Sequence, residues 1–288
     1  MSDFLKYVSD GHSYFIMSKC KVIAVANQKG GVGKTTTTAN VAIGLARNGQ
    51  EVLIVDFDPQ GDLTASLGWK NNDALENTVS TMLDDYINDK EIHYPSLILT
   101  HSEDVDVIPA NIELADFEMR LVSVINREQV LPSCLEPLRD RYDYILIDCP
   151  PSLGMLTVNA LSAADQVLIP VQAQYLPAKG MTKLLQTISK VQRKINSSLS
   201  IAGVAITLAD MKTNLAKSTI ETIRDSFGRN IRVFDTVIPV ATKAGEASIA
   251  GKSIYSYAAD SKVANAYASL TKELISSDKS KHRDDFSR

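Results

Sequence analysis

The sequence predicts an α/β fold, a single domain with a mostly parallel twisted β-sheet flanked by helices on both faces. Three observations predict it. Short runs rich in Val, Ile and Leu recur along the chain without alternating with polar residues, the pattern of strands buried on both faces. Stretches of helical periodicity separate these runs, so strand and helix alternate as in layered α/β proteins. A glycine-rich loop stands between the first run and the first helix, the strand–loop–helix context of a phosphate-binding turn.

The first strand is expected at 22–26, and residues 34–47 have helical periodicity that Asn48-Gly49 stops. Further strands are expected at 52–55, 105–108, 144–147, 166–171, 201–206 and 236–238, with helical segments around 111–141, 177–195, 213–227 and 258–276. Residues 1–18 mix Phe4, Leu5, Tyr7, Val8, Phe15 and Ile16 with polar residues and form an N-terminal extension, within which Met17 offers an alternative start. The domain proper spans 19–276, and 277–288 is expected to be a polar flexible tail. No internal repeat is found.

Composition narrows the function classes. At 44% hydrophobic residues the chain has ample material for a core, yet no run of 18 apolar residues predicts a transmembrane helix. The N-terminus lacks the order of a signal peptide, so a cytoplasmic protein is expected. Cys20, Cys134 and Cys149 are scattered and have no metal-ligand spacing. The formal net charge of −4 means that any contact with nucleic acid needs a local basic patch.

The loop Asn27-Gln28-Lys29-Gly30-Gly31-Val32-Gly33-Lys34-Thr35-Thr36 opens the first helix. Glycines at 30, 31 and 33 let backbone N–H groups turn inward on phosphate oxygens, and the helix N-terminus adds its positive end. Lys34 is placed for the β- and γ-phosphates of ATP, Thr35 for Mg²⁺ and Thr36 for the α-phosphate. The general pattern asks for glycine at position 28, where this chain has Gln28; it carries instead a second lysine, Lys29. A cation there is poorly placed to fold back on its own loop. It is placed to reach a nucleotide held by a facing subunit, as an arginine finger does. That form of loop belongs to the deviant Walker A class and predicts a homodimer with ATP at its interface.

Two carboxylate motifs follow. Asp56 and Asp58 close the second strand and share a side of the extended backbone, facing the ligand crevice. Asp58 is the expected group for positioning the attacking water, and Asp56 a brace for the loop. The run Tyr144-Ile145-Leu146-Ile147-Asp148 is an apolar strand ending in an acid, so Asp148 is the expected Mg²⁺ holder, through water.

Taken together, these motifs resemble the ParA family of partition ATPases, over the chain from Lys21 to about Leu274. The likeness extends to Pro150-Pro151-Ser152-Leu153-Gly154-Met155, to Val171-Gln172-Ala173-Gln174-Tyr175, to Thr236-Val237-Ile238-Pro239, and to Glu246-Ala247 with Gly251-Lys252. Gln174 stands where family members often carry Glu. The match is to the Soj-type branch. The resemblance implies weak intrinsic ATP hydrolysis, an ATP-bound dimer that binds double-stranded DNA without sequence preference, association with the nucleoid, and a centromere-binding ParB-type partner that stimulates hydrolysis. It also implies DNA contacts at Lys212 and Lys243, both arginine in related proteins, and adenine contacts at Thr207 and near Pro239. Val240 replaces a further arginine, and Arg193, Lys194, Lys217, Arg224 and Arg229 are available to supplement the patch.

Three other readings compete. A membrane-associated ATPase of the MinD kind needs a C-terminal amphipathic helix with apolar anchors, and the tail has one aromatic residue and no apolar stripe; no membrane partner is expected. A redox or metabolic enzyme on the same fold, such as an iron-protein reductase, needs paired cysteine ligands. A regulatory ATPase of a mobile element, acting in copy control or replication signalling, shares every motif above.

Overall fold

The structure, a computed structural model, describes residues 8–9, 12–13, 20–173 and 178–285. The rest of the 1–18 extension, Gln174 and Tyr175, and residues 286–288 of the tail lie outside the described residues. Val8–Ser9 pairs antiparallel with His12–Ser13.

From Lys21 the expected alternation holds. The strands are β1 (Lys21–Val25), β2 (Val52–Asp56), β3 (Leu99–His101), β4 (Val105–Ile108), β5 (Tyr144–Asp148), β6 (Gln166–Gln172), β7 (Ser200–Ala209) and β8 (Val233–Pro239). They form one sheet in the order β8-β7-β6-β1-β5-β2-β4-β3, parallel except for the β3–β4 edge pair. The helices are α1 (Lys34–Ala46), α2 (Asp62–Ser66), α3 (Val79–Ile87), α4 (Tyr94–Leu97), α5 (Glu113–Leu121), α6 (Val130–Leu135), α7 (Met155–Ala163), α8 (Ala178–Lys194), α9 (Asn214–Phe227), α10 (Thr242–Ile249), α11 (Ile254–Tyr257) and α12 (Lys262–Asp285).

Successive residues of each strand serve different layers. Ile23, Val25, Ile54 and Leu146 pack with α1 and α12, through residues such as Ile43, Leu45, Tyr267 and Leu270. Val22, Ala24, Val55 and Ile145 pack with the opposite layer, through Met82, Leu131, Leu156 and Leu184. Both faces are covered, which is why the strands read as unbroken apolar runs.

Some elements differ from expectation. The segment 111–141 is not one helix. Asn126 takes the left-handed conformation (φ 52°), and prolines 132 and 137 each fall at the start of a short helical piece, where a missing N–H is tolerated. The last segment begins at α11 and α12, and α12 runs on to Asp285 where a polar tail is expected. Helix α7 is hard to read as a helix because it has no polar face: Leu156, Thr157 and every residue from Asn159 to Ala163 are buried.

The topology fixes where a ligand can sit. β1 lies between β5 and β6, and the chain leaves it for β2, on the far side of β5. The strand order therefore reverses at β1. The crevice outside the carboxyl ends of β1 and β5 is the switch point where open α/β sheets hold ligands.

Candidate nucleotide site

The phosphate loop springs from this crevice. Asn27 anchors its base: the side-chain amide donates to the Pro170 carbonyl (2.7 Å), and Oδ1 accepts from the Lys29 N–H (3.0 Å). Gly31 and Gly33 have φ of 69° and 83°, a region L-residues rarely enter. A Cβ on Gly31 would meet nothing within 4 Å, so its glycine serves backbone conformation and not close packing. Gly33 is the N-cap of α1 and brings no side chain to it, so the first-turn N–H groups are left for an anion.

The two lysines of the loop differ sharply. Lys34 is buried at 7% exposure. Lys29 is exposed on the outer lip, with no side-chain hydrogen bond or ion pair among the described residues. Thr35 Oγ1 donates to Asp148 Oδ2 at 2.7 Å, and Thr38 Oγ1 lies 3.1 Å from Asp148 Oδ1. Thr38 was not singled out by sequence; its spacing of three from Thr35 puts both hydroxyls on one helix face. Thr36 accepts from the Asn40 amide through its backbone carbonyl (2.8 Å).

Asp148 is fully buried, and its pKa is pushed up to about 8, first by that burial and next by the nearby Asp56 charge; Thr35 and Lys34 pull the other way. A carboxylate held under such pressure beside a threonine hydroxyl fits a divalent cation, whose charge would relieve it. Among the described residues no three His, Cys, Asp or Glu side chains cluster as a metal cage. A hard cation taking its remaining oxygens from phosphate and water needs none.

Asp56 is also buried. It accepts from both the backbone N–H and the hydroxyl of Thr64 (2.9 and 2.6 Å), and Thr64 Oγ1 in turn accepts from the Ala110 N–H (3.0 Å). Asp56 thus braces α2. Asp58, two residues on, is half-buried and accepts from the Gln60 N–H (3.1 Å). Its pKa is raised by burial, against the pull of Lys34. Cys149 is buried, and burial pushes its thiol well above the usual range; it is a packed thiol rather than a ligand.

Thr207 is buried under the loop and donates to the Val32 carbonyl (2.7 Å). Pro239 ends β8 opposite Ala209 on β7. Lys212 lies in the turn after β7 and Lys243 in the first turn of α10, after β8. Both are exposed, and because β7 and β8 end side by side they share the rim of the sheet that carries the phosphate loop. Val240, between the two strand ends, is 58% exposed.

A family model described as an AAA domain matches residues 20–201. The sporulation initiation inhibitor protein Soj of Bacillus subtilis is 45% identical over 254 residues, covering 88% of this chain and 98% of that one. The chromosome partitioning protein ParA of Myxococcus xanthus is 40% identical, covering 90% and 89%. The chain belongs to the ParA/Soj family. Membership makes it a P-loop ATPase with ATP and Mg²⁺ as its cofactors, in agreement with the loop and the Thr35–Asp148 pair. Among solved structures, a Mycobacterium smegmatis protein described as cobyrinic acid a,c-diamide synthase, with bound ADP and magnesium, is 36% identical with a TM-score of 0.79, covering 91% of the ParA-family chain and 96% of its own. A putative plasmid partition protein from Borrelia burgdorferi bound to AMPPNP, 23% identical at TM-score 0.73, supports the fold. Among the described residues, no helix is long and apolar enough to cross a membrane.

Proposed function

We propose that this ParA-family chain partitions DNA through an ATP-gated homodimer. The contrast between the buried Lys34 and the exposed Lys29 of one loop, which forms no ion pair among the described residues, is the observation that carries the reading. In it, Gly30 to Gly33, Lys34, Thr35 and Thr36 hold the phosphates of ATP in their own subunit, and Thr207 and Pro239 lie toward the adenine. Thr35 and Asp148 would hold Mg²⁺, which would supply positive charge against the charge that develops on the phosphates. Asp58 orients the attacking water. Lys29 reaches across to the nucleotide of the facing subunit, so ATP completes the dimer.

The dimer then presents Lys212 and Lys243 twice to double-stranded DNA without reading its sequence. A ParB-type centromere-binding partner stimulates hydrolysis and releases the dimer from the nucleoid. No membrane is involved. The deciding experiment measures mass by sedimentation with ATP, ADP and no nucleotide, for wild type and Lys29→Ala. The wild type should dimerise with ATP only and the variant not at all. A variant that dimerises normally overturns the assignment of Lys29.

A further inference from the structure

Among the described residues, Asp89, Asp104, Asn126 and Leu208 are the non-glycine residues with positive φ. Asp and Asn enter the left-handed region at modest cost, but a leucine there is an outlier that its surroundings must enforce. Asp89, Asp104 and Asn126 lie between elements; Leu208, at φ 49°, lies inside β7, one residue before its end. A second irregularity of that strand, at Gly203, uses the residue that positive φ favours.

The strand register explains the leucine. Ile206 pairs with Val237 and Ala209 with Pro239, three steps along β7 against two along β8. β7 therefore carries one extra residue, and such a bulge re-aims the side chains around it. Before the bulge, alternation is regular: Val204 and Ile206 face the layer of α8 and α9, and Ala205 faces the layer of α1. Thr207 keeps to the α1 side, where its hydroxyl donates to the Val32 carbonyl (2.7 Å) and its Cβ would lie 4.0 Å from a Cβ on Gly33. Alternation would send Ala209 to the same side. Ala209 packs instead with Ile206, Ala216 and Ile220 on the α9 side. The left-handed residue at 208 makes the two placements compatible.

Both neighbours of Leu208 are pinned. The Thr207 carbonyl accepts from the Ala173 N–H after β6, and the Ala209 carbonyl from the Val240 N–H after β8, each at 3.2 Å. The Leu208 side chain is only half-buried, so its backbone conformation and not its packing sets it apart. Residues held in such conformations gather at ligand sites, where they pre-organise a geometry that the ligand needs. Here that geometry is the turn of Val32 and Gly33, and Gly33 is the N-cap of α1, whose first-turn N–H groups are left for phosphate.

We propose that Leu208 is a positioning residue for nucleotide binding: its left-handed backbone holds Thr207 against Val32 and Gly33 and so fixes the phosphate loop in the form that takes the triphosphate. The proposal rests on the nucleotide site described above and involves neither DNA nor a partner protein.

The test uses the full chain with a fluorescent ATP analogue and Mg²⁺, followed by ATP turnover. Leu208→Val keeps an apolar side chain but is β-branched, the kind of residue least able to take positive φ. It should bind the nucleotide about tenfold more weakly, the scale of one lost hydrogen bond to the loop. Its KM for ATP should rise with kcat near the wild-type value, as when binding is lost equally from ground and transition states. Leu208→Asn is polar but accepts the left-handed region, and it should bind as wild type does. A packing role for the leucine predicts the opposite order of these two variants. The double variant Thr207→Val with Leu208→Val should bind no more weakly than Thr207→Val alone, because residues that act through one contact do not add. Should Leu208→Val fail to fold, Leu208→Ala takes its place in each comparison, since alanine has neither the β-branch nor the tolerance of Asn. Wild-type affinity in Leu208→Val, or weaker binding by Leu208→Asn than by Leu208→Val, overturns the proposal. Additive losses in the double variant overturn the route through Thr207. A fall in kcat at unchanged KM would place Leu208 in the chemical step and overturn the assignment. If wild type itself does not bind the analogue, the nucleotide site fails, and this inference with it.

Discussion

Asp56 and Asp148 stand at matching positions on neighbouring strands, both buried, with hydroxyls, backbone N–H groups and Lys34 stabilising their charge among the described residues. Burial raises the Asp56 pKa from 3.8 to about 6. A carboxyl whose folded-state pKa is raised adds stability that is full below its unfolded pKa and is lost as pH rises through the folded value. Asp56→Asn keeps an acceptor for Thr64 and removes the titration, so its melting temperature should gain on wild type between roughly pH 4 and pH 7. A constant difference across that range would show that the Asp56 charge is compensated in the fold.

The loop lysines make a second prediction at this scale. Lys34→Ala should abolish nucleotide binding, whereas Lys29→Ala should keep it and lose the dimer and hydrolysis, as fluorescent-nucleotide titration and turnover would report. Equal loss of ATP affinity in both refutes the separate roles. Asp58→Ala should still bind ATP and Mg²⁺ and accumulate as dimer, with hydrolysis down about 10²-fold or more. Normal hydrolysis in that variant would exclude Asp58 from orienting the water. The glycines, lysines and acids were legible in the sequence because spacing alone defines their motifs. Thr38, Thr64 and Glu118 were not, because a polar residue 38 positions from its partner, as Glu118 is from Leu156, has no local signature.

At the scale of elements, the phosphate loop is held by strands as well as by its own glycines. Thr207 on β7 reaches under it to the Val32 carbonyl. Thr207→Val removes that donor and leaves a buried carbonyl short of a partner, at a cost of about 1–3 kcal/mol. The variant should melt lower and bind ATP more weakly, and Thr207→Ser should recover both. If Thr207→Val binds ATP normally despite a lower melt, the contact stabilises the sheet without shaping the loop. The central strands were legible because burial on both faces leaves them uniformly apolar. β3 was not, since three residues on an antiparallel edge carry too little pattern. α7 was obscured by the opposite cause, an all-round burial that erases helical periodicity.

At the scale of the whole molecule, charge decides how an acidic chain could hold DNA. A net charge of −4 opposes any close approach by the free monomer. Lys212 and Lys243 follow the ends of adjacent strands on one rim of the sheet, so each subunit offers both cations at the same end of the molecule. Two subunits joined by ATP would double that set, and the second pair engages at a high effective concentration once the first is bound. DNA binding should therefore require ATP, ignore sequence and weaken steeply with salt, because counterion release scales with the phosphates neutralised. Lysine in place of arginine keeps the point charge but gives up the fork that grips phosphate bidentately, and Val240 adds an apolar residue between the two strand ends. Lys212→Arg with Lys243→Arg should accordingly strengthen binding, and the alanine pair should abolish it while sparing ATP binding and the dimer. Gel-shift titrations with ATP, ADP and no nucleotide, repeated at two salt concentrations, measure all of this. Equal binding in the three nucleotide states, or wild-type binding by the alanine pair, would move the DNA site elsewhere on the molecule. The absence of binding at any salt would favour the regulatory role over partition.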